Sequence, residues 1–232
     1  MRVSSVTVRL ALASIAFAGS AAGSLPALAA QPTPLLAPAT ADDAPSVEAA
    51  KVIDWVIASR DNGDQPFMVI DKVSAELFVF DPQSRTRRRT PVLIGIAKGD
   101  ESAPGVGDLE LARIPVSQRT TPAGRFLAAY GPALDHEDVL WVDEPNAVSL
   151  HPVPTGNPRE HRLARLQSAT PADNRITFGC INVDKEFYSK FIEPLFREGG
   201  GVVYVLPEAR PLREVFAGLP PDNPRTPRLA AK

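Results

Sequence analysis

The sequence is poor in the residues that build metal centres and disulfide frameworks. Its 232 residues include one cysteine, Cys180, and three histidines. A single cysteine excludes an internal disulfide and a zinc or iron–sulfur site made of several thiolates, and so few histidines argue against a histidine-rich metal cage. The formal net charge is −2, which gives no basis for binding nucleic acid or an anionic membrane surface. We therefore expect no metal site and no nucleic-acid partner.

Long apolar runs are also missing, and the first residues have the pattern of an export signal. Arg2 and Arg9 lead into the apolar stretch Leu10–Ala22, which is shorter than the about 20 residues that cross a bilayer. Ala27 to Ala29 form an A-x-A cleavage signal. We predict a signal peptide over 1–29 and an exported mature protein without stable membrane insertion. An uncleaved anchor is the alternative.

The rest of the chain divides into four segments. Residues 30–45 are rich in proline and alanine, which is typical of a linker. A helical prefix is predicted over 46–64, because Ser46 can cap a helix and apolar residues follow it at helical spacing. Residues 65–207 form the predicted body, and 208–232 form a proline-rich tail. The sequence does not decide whether the prefix packs on the body.

Short apolar runs between turn residues predict a mainly β body with embedded helices, an α+β fold. The predicted strands are Phe67–Ile70, Glu76–Phe80, Thr90–Ile96, Phe126–Tyr130, Val139–Val142, Ala147–Leu150, Ile176–Val183 and Gly201–Leu206. Asp184 can cap a further helix that runs to about Phe196.

Two connections invite a functional interpretation. The basic run at 85–89 predicts a solvated turn, with contact to an anionic polymer as the alternative. The loop over 97–118 contains Gly105 and Gly107 but lacks the third glycine of a dinucleotide-binding fingerprint. A long loop of this kind is typically a lid, a binding loop or disordered.

The lone cysteine lies in a setting that suits a nucleophile. Gly179 permits a sharp turn just before Cys180, and the helix predicted after Asp184 can favour a thiolate if its N-terminus points back. A thiol needs a base, and His151 stands at the end of a predicted strand. The residues thus indicate a cysteine–histidine pair. A buried, inert cysteine is the alternative.

The segment Thr177 to Asn182 resembles the signature of the L,D-transpeptidase (YkuD-like) family, a serine or threonine followed by His-Gly-Cys, a hydrophobic residue and asparagine or arginine. The turn Thr121–Phe126 resembles a second family motif. The opening hairpin and the closing strand Val202–Leu206 resemble the family's first and last strands, so the resemblance covers roughly 67–207. It implies a mixed β-sandwich fold.

Two features depart from the family pattern. Phe178 replaces the histidine before the glycine, which removes a second imidazole from the site. The spacing to Thr177 favours His161 as the base, whereas the preceding strand favours His151. We select His151, which implies an insertion in the spacer, and keep His161 as the alternative. Pro152 follows His151 and leaves only its carbonyl as an orienting acceptor. His136, in an acidic stretch, is interpreted as a surface residue.

The resemblance implies acyl transfer on peptidoglycan stem peptides in the periplasm or cell envelope, without a cofactor. In this mechanism Cys180 forms an acyl-enzyme with loss of D-alanine, His151 handles the proton, and an amine resolves the thioester. Backbone N–H groups of Gly179 and Cys180 are candidate oxyanion donors, and the further candidates for substrate contact are Asn182, Thr177 and Arg175. An L,D-carboxypeptidase or endopeptidase that uses water, and a non-catalytic wall-binding module, are the alternatives. The acceptor amine and the oligomeric state stay open.

Overall fold

The structure is a computed structural model that describes residues 44–84, 87–133 and 138–221. The predicted signal peptide, most of the predicted linker and His136 lie outside these residues. Within them, no helix has the length and apolar character needed to cross a membrane.

The described chain forms ten strands and five α-helices. In order these are α1 (Val47–Ser59), β1 (Phe67–Asp71), β2 (Glu76–Phe80), β3 (Arg87–Pro91), β4 (Ile94–Gly95), β5 (Gly124–Pro132), β6 (Asp138–Asp143), β7 (Val148–Pro152), α2 (Arg162–Leu166), β8 (Arg175–Thr177), β9 (Ile181–Val183), α3 (Lys185–Phe187), α4 (Glu193–Phe196), β10 (Gly201–Val205) and α5 (Leu212–Val215). A π-helical segment, Tyr188–Ile192, joins α3 to α4.

Eight strands form one mixed sheet in the order β3-β2-β1-β10-β5-β6-β7-β9, and β4 pairs with β8 in a second, two-stranded sheet. The pairs β1 with β10 and β7 with β9 are parallel, and the other neighbours in the large sheet are antiparallel. The predicted α+β fold, mainly β with embedded helices, is confirmed.

The main core joins strands from both ends of the sheet. Met68 and Ile70 of β1 share one buried cluster with Leu150 of β7 and Ile181 at the start of β9. Strands so far apart in the sheet order can share a core only if the sheet curls over itself. The helical segment 185–196, close to the prediction that Asp184 caps a helix to about Phe196, adds Ile192 and other apolar side chains to this core.

The helical prefix packs on the opposite face of β1 and β10. Ser46 caps α1 as predicted, because its side chain accepts a hydrogen bond from the Ala49 N–H at 3.0 Å. Phe67 and Val69 alternate with the residues of the main core and meet α1 in a second cluster. The first part of the predicted tail belongs to the same cluster: α5 follows β10, and Phe216 and Leu219 are buried.

The region after β2 differs from its prediction. The basic run was expected to form a solvated turn, but Arg87–Pro91 is a strand at the edge of the sheet, paired with β2. Arginine is tolerated there because its long side chain can cover aromatic rings: the Arg88 guanidinium lies 5.4 Å from the centre of the Phe191 ring. The predicted strand Thr90–Ile96 is divided between β3 and β4.

Candidate active site

The parallel pair β7 and β9 brings the predicted nucleophile and base together. His151 lies opposite Asn182 in the register of this pair, and Cys180 immediately precedes β9. The strand predicted before His151, which favoured this histidine in the sequence, is β7, and His151 itself lies in it.

The turn that presents Cys180 is fixed by two threonines. Thr177 Oγ1 donates to the Cys180 carbonyl at 2.6 Å and accepts from the Gly179 N–H at 3.2 Å. Thr121 Oγ1 donates to the Gly179 carbonyl at 2.8 Å and accepts from the Gly95 N–H at 2.9 Å. The turn preceding the thiol is therefore tied to the loop that holds Thr121. Thr177 acts on the backbone of the turn, and it occupies the Gly179 N–H that was a candidate oxyanion donor.

Gly179 is required at its position for two reasons. Its φ of +135° is a conformation that residues with a Cβ rarely adopt. A Cβ at this position would also lie 2.9 Å from the Thr120 carbonyl oxygen.

The Cys180 thiol is half-buried among polar groups of β7 and the residue before it. Its Sγ lies 3.5 Å from Ser149 Oγ and 3.7 Å from the Ala147 carbonyl oxygen. Burial raises the pKa of the thiol, but the neighbouring His151 and the contacts with Ser149 outweigh burial and lower the pKa below its ordinary value. A lowered thiol pKa increases the thiolate fraction near neutral pH, and the thiolate is the nucleophile.

The His151 ring is held through both of its nitrogens. Nδ1 lies 2.9 Å from the Pro152 carbonyl oxygen, the acceptor that the sequence leaves available to orient the ring. Nε2 lies 3.1 Å from Nδ2 of the buried Asn182. Burial lowers the pKa of His151, but the neighbouring Cys180 and the Pro152 carbonyl outweigh burial, and the net pKa is raised. The two pKa values are thus shifted in opposite directions, that of the thiol downward and that of the imidazole upward.

The other predicted residues occupy different surroundings. His161 is exposed, in a left-handed conformation (φ +50°) just before α2, and the partners of the Cys180 thiol described above come from β7 and the residue before it. Arg175 donates to the carbonyls of Gly95, Ala97 and Lys72 and pairs with Glu208. This geometry favours a structural role for Arg175 over binding of a substrate carboxylate.

Sequence reasoning missed two residues of the site. Ser149 lies two positions before His151, so strand alternation placed both side chains on one face, and this signal was available. Arg162, at the start of α2, donates a hydrogen bond of 2.8 Å to Asn182 Oδ1. No sequence pattern indicated that contact.

The loop over 97–120 frames the site on two sides. The Arg119 guanidinium lies 3.9 Å from the centre of the Phe178 ring, next to Gly179. Gly107 packs against the Pro145 carbonyl so tightly that a Cβ would clash there, and Ala147, whose carbonyl contacts the thiol, follows this turn. Across the described ranges, no group of three or more histidine, cysteine or acidic side chains is arranged to hold a metal ion.

A weak structural similarity links this chain to a bacterial cell-shape protein. No family model and no curated protein matches the sequence. Among solved structures, a mutant of the helical cell shape determining protein Pgp2 from Campylobacter jejuni aligns with a TM-score of 0.40 and 13% sequence identity, over 72% of this chain and 58% of that chain. The match thus spans little more than half of that structure.

Proposed function

We propose that this chain is an exported cysteine acyltransferase of the peptidoglycan layer, an L,D-transpeptidase. The observation that carries the proposal is the pairing of β7 with β9, which brings His151 and Cys180 together; the pKa of the thiol is lowered there and that of the imidazole is raised. An oriented base beside an activated thiol is the arrangement that covalent acyl transfer requires. The resemblance of Thr177 to Asn182 to the family signature selects the substrate class.

In the proposed reaction, the Cys180 thiolate attacks the carbonyl that joins an L-configured centre to a terminal D-alanine. The C–S bond forms as the C–N bond breaks, and the proton on His151 passes to the departing D-alanine amine. The amine of a neighbouring stem peptide then attacks the thioester. His151 takes a proton from that amine, and Cys180 leaves as a thiolate. Two stem peptides become cross-linked, and the pair returns to its starting state.

The backbone around Cys180 supplies the proposed stabilisation of the tetrahedral intermediate. Because the Gly179 N–H already donates to Thr177, we assign the oxyanion contact to the Cys180 N–H. A backbone donor of this kind contributes most where it is fixed in advance, and the hydrogen bonds of Thr177 and Thr121 fix this turn. Thr177 is therefore proposed to hold the backbone of the turn in place rather than to contact substrate.

The export signal and the site together suggest where the protein acts. A signal peptide over 1–29 would deliver the chain to the periplasm or cell envelope, where stem peptides are found. The lone thiol has no second cysteine in the chain with which to form an internal bridge, so an oxidising compartment does not silence it by that route.

The proposal is tested by acylation. The protein is incubated with a carbapenem, which acylates nucleophiles of this class, and its intact mass is measured beside that of Cys180→Ala. We expect one adduct on the wild-type chain and none on the variant. Absence of the adduct from the wild-type chain would overturn the enzyme proposal and favour a wall-binding module.

The acceptor is identified from products. Purified muropeptides are incubated with the protein and separated by mass. Cross-linked dimers with release of D-alanine support the transpeptidase. Shortened stem peptides without dimers would instead assign water as the acceptor, and thus a carboxypeptidase or endopeptidase.

A further inference from the structure

The hydrogen bond from Arg162 determines which way the Asn182 amide faces. Arg162 Nη1 lies 2.8 Å from Asn182 Oδ1, and a guanidinium only donates hydrogen bonds. The amide oxygen therefore faces Arg162, and the amide nitrogen faces His151 Nε2 at 3.1 Å. Because an amide NH₂ group only donates, Nε2 has to accept.

The other side of the imidazole requires the same tautomer. The Pro152 carbonyl, 2.9 Å from Nδ1, only accepts, so Nδ1 carries the proton. The ring is thus flanked by an acceptor at Nδ1 and a donor at Nε2, and only the neutral Nδ1–H form satisfies both. An imidazolium would direct its Nε2–H at the N–H of Asn182.

We infer that Arg162 is a positioning residue for the cysteine–histidine pair: through Asn182 it holds His151 in the Nδ1–H tautomer and opposes formation of the imidazolium. The inference deepens the proposed function, since the pair is the proposed catalyst. In the proposed reaction, Arg162 counteracts the rise in the His151 pKa that Cys180 causes. The proton can therefore pass from His151 to the departing amine.

Arg162 is built into the fold at this position. Its side chain is 11% exposed and forms an ion pair with Glu160. It lies at the start of α2, in the segment between β7 and β8 that separates His151 from Thr177.

The electrostatic surroundings of His151 agree with this geometry. Two charged groups act on the ring: Cys180 raises its pKa, and Arg162 lowers it. Glu160 acts through its ion pair with Arg162. Removing Arg162 takes away a neighbouring positive charge and frees the Asn182 amide to turn its oxygen toward Nε2. Both changes stabilise the imidazolium, so the pKa of His151 should rise.

The test is a nitrogen NMR titration of the protein labelled with ¹⁵N-histidine and carrying Cys180→Ala, which removes the thiol's own effect on the ring. The nitrogen shifts report the tautomer and the pKa of His151. Arg162→Met keeps the apolar length of the side chain and removes its donors, whereas Arg162→Lys keeps a donor. Arg165→Met is the matched control, since Arg165 shares α2 but donates to the backbone carbonyls of Glu160 and Asp173.

We expect the Nδ1–H tautomer in the parent protein. In Arg162→Met we expect an upward shift of the His151 pKa and a weaker tautomer preference, with the parent behaviour kept in Arg162→Lys and Arg165→Met. An Nε2–H tautomer in the parent overturns the inference without any variant at position 162, so it stays testable if Arg162→Met folds poorly. Equal pKa values in Arg162→Met and Arg165→Met also overturn it. None of these readouts depends on acylation, so a missing carbapenem adduct counts against the proposed function alone.

Discussion

Lys72 and Asp100 form a buried ion pair, with Lys72 Nζ 2.9 Å from Asp100 Oδ1 and side chains that are 1% and 2% exposed. Lys72 also donates to the Thr121 carbonyl at 3.0 Å, so it contacts the residue that fixes the turn before Cys180. Asp100 in turn accepts from the backbone N–H groups of Glu208, Ala209 and Arg210. The pair joins the β1–β2 hairpin, the start of the site loop and the segment after β10.

Replacing Asp100 with asparagine should destabilise the fold strongly. The variant removes the nearer of the two carboxylates that pair with the buried Lys72 ammonium and leaves only Glu208, at 3.8 Å. Breaking a buried pair costs roughly 3–5 kcal/mol. Urea unfolding at pH 7 measures the loss in the free energy of unfolding. Glu101→Gln is the matched control, because its carboxylate is 78% exposed and pairs with Arg210 at the surface. A loss in Asp100→Asn no larger than in this control would contradict the interpretation.

The Asp100 carboxylate should also make the fold sensitive to acid. Burial raises the pKa of Asp100, but its hydrogen bonds to backbone N–H groups and Lys72 outweigh burial and lower the pKa to about 2. The unfolded pKa is about 3.9, so this stabilisation is complete above that pH and is lost as the pH falls toward about 2. Urea unfolding between pH 5 and pH 2 should show a shallower decline in Asp100→Asn than in the wild type. Equal slopes would count against a depressed Asp100 pKa.

Much of the fold was predictable because most of its strands coincide with short apolar runs in the sequence. Phe67 to Ile70 is a continuous apolar run, and the strand it forms is buried on both faces. The basic strand β3 was missed, since its stabilisation comes from pairing with β2 and from aromatic rings distant in sequence, such as Phe191. The packing of Phe216 and Leu219 was missed for a similar reason. These side chains pack against α1 and strands that are distant in sequence, and the high proline content of their own segment does not indicate those contacts.

The site was predictable where a motif and a strand coincide. Gly179 and Cys180 lie in the signature segment and His151 lies in β7, so their juxtaposition follows from the pairing of β7 with β9. The positions of the Arg162 and Arg175 side chains depend on long-range hydrogen bonds and ion pairs made by polar segments. Such contacts leave no periodic trace in the sequence.

Gly179→Ala should strain the turn before the nucleophile. An alanine at φ +135° is costly, and its Cβ would lie 2.9 Å from the Thr120 carbonyl oxygen; strain of this kind costs about 1–3 kcal/mol. We expect lower stability in urea and slower alkylation of Cys180, as the thiol shifts away from His151. Gly156→Ala is the control, because a Cβ there meets nothing within 4 Å. Wild-type stability and alkylation in Gly179→Ala would show that the turn tolerates a side chain.

The thiol should react with iodoacetamide at a lower pH than an ordinary cysteine. The pKa of Cys180 is lowered mainly by the neighbouring His151, against the effect of burial, so thiolate is present below the usual midpoint of about pH 8.5. The rate of alkylation, measured by mass across pH 5–10, should rise early in the wild type. In His151→Ala the midpoint should move to higher pH, because the partner that stabilises the thiolate is gone. An unchanged midpoint would mean that His151 does not set the thiol pKa.

Substitution of the two described histidines should separate the base from its alternative. His151→Ala removes the proton acceptor beside Cys180, and loss of a general base lowers the rate by roughly 10²–10⁴-fold. His161→Ala removes an exposed imidazole just before α2 and should leave the rate nearly unchanged. The rate of carbapenem acylation is followed by intact mass for each variant, with urea unfolding as a check that both fold. The opposite pattern, slow acylation in His161→Ala and normal acylation in His151→Ala, would move the base to His161 and remove the need for an insertion in the spacer.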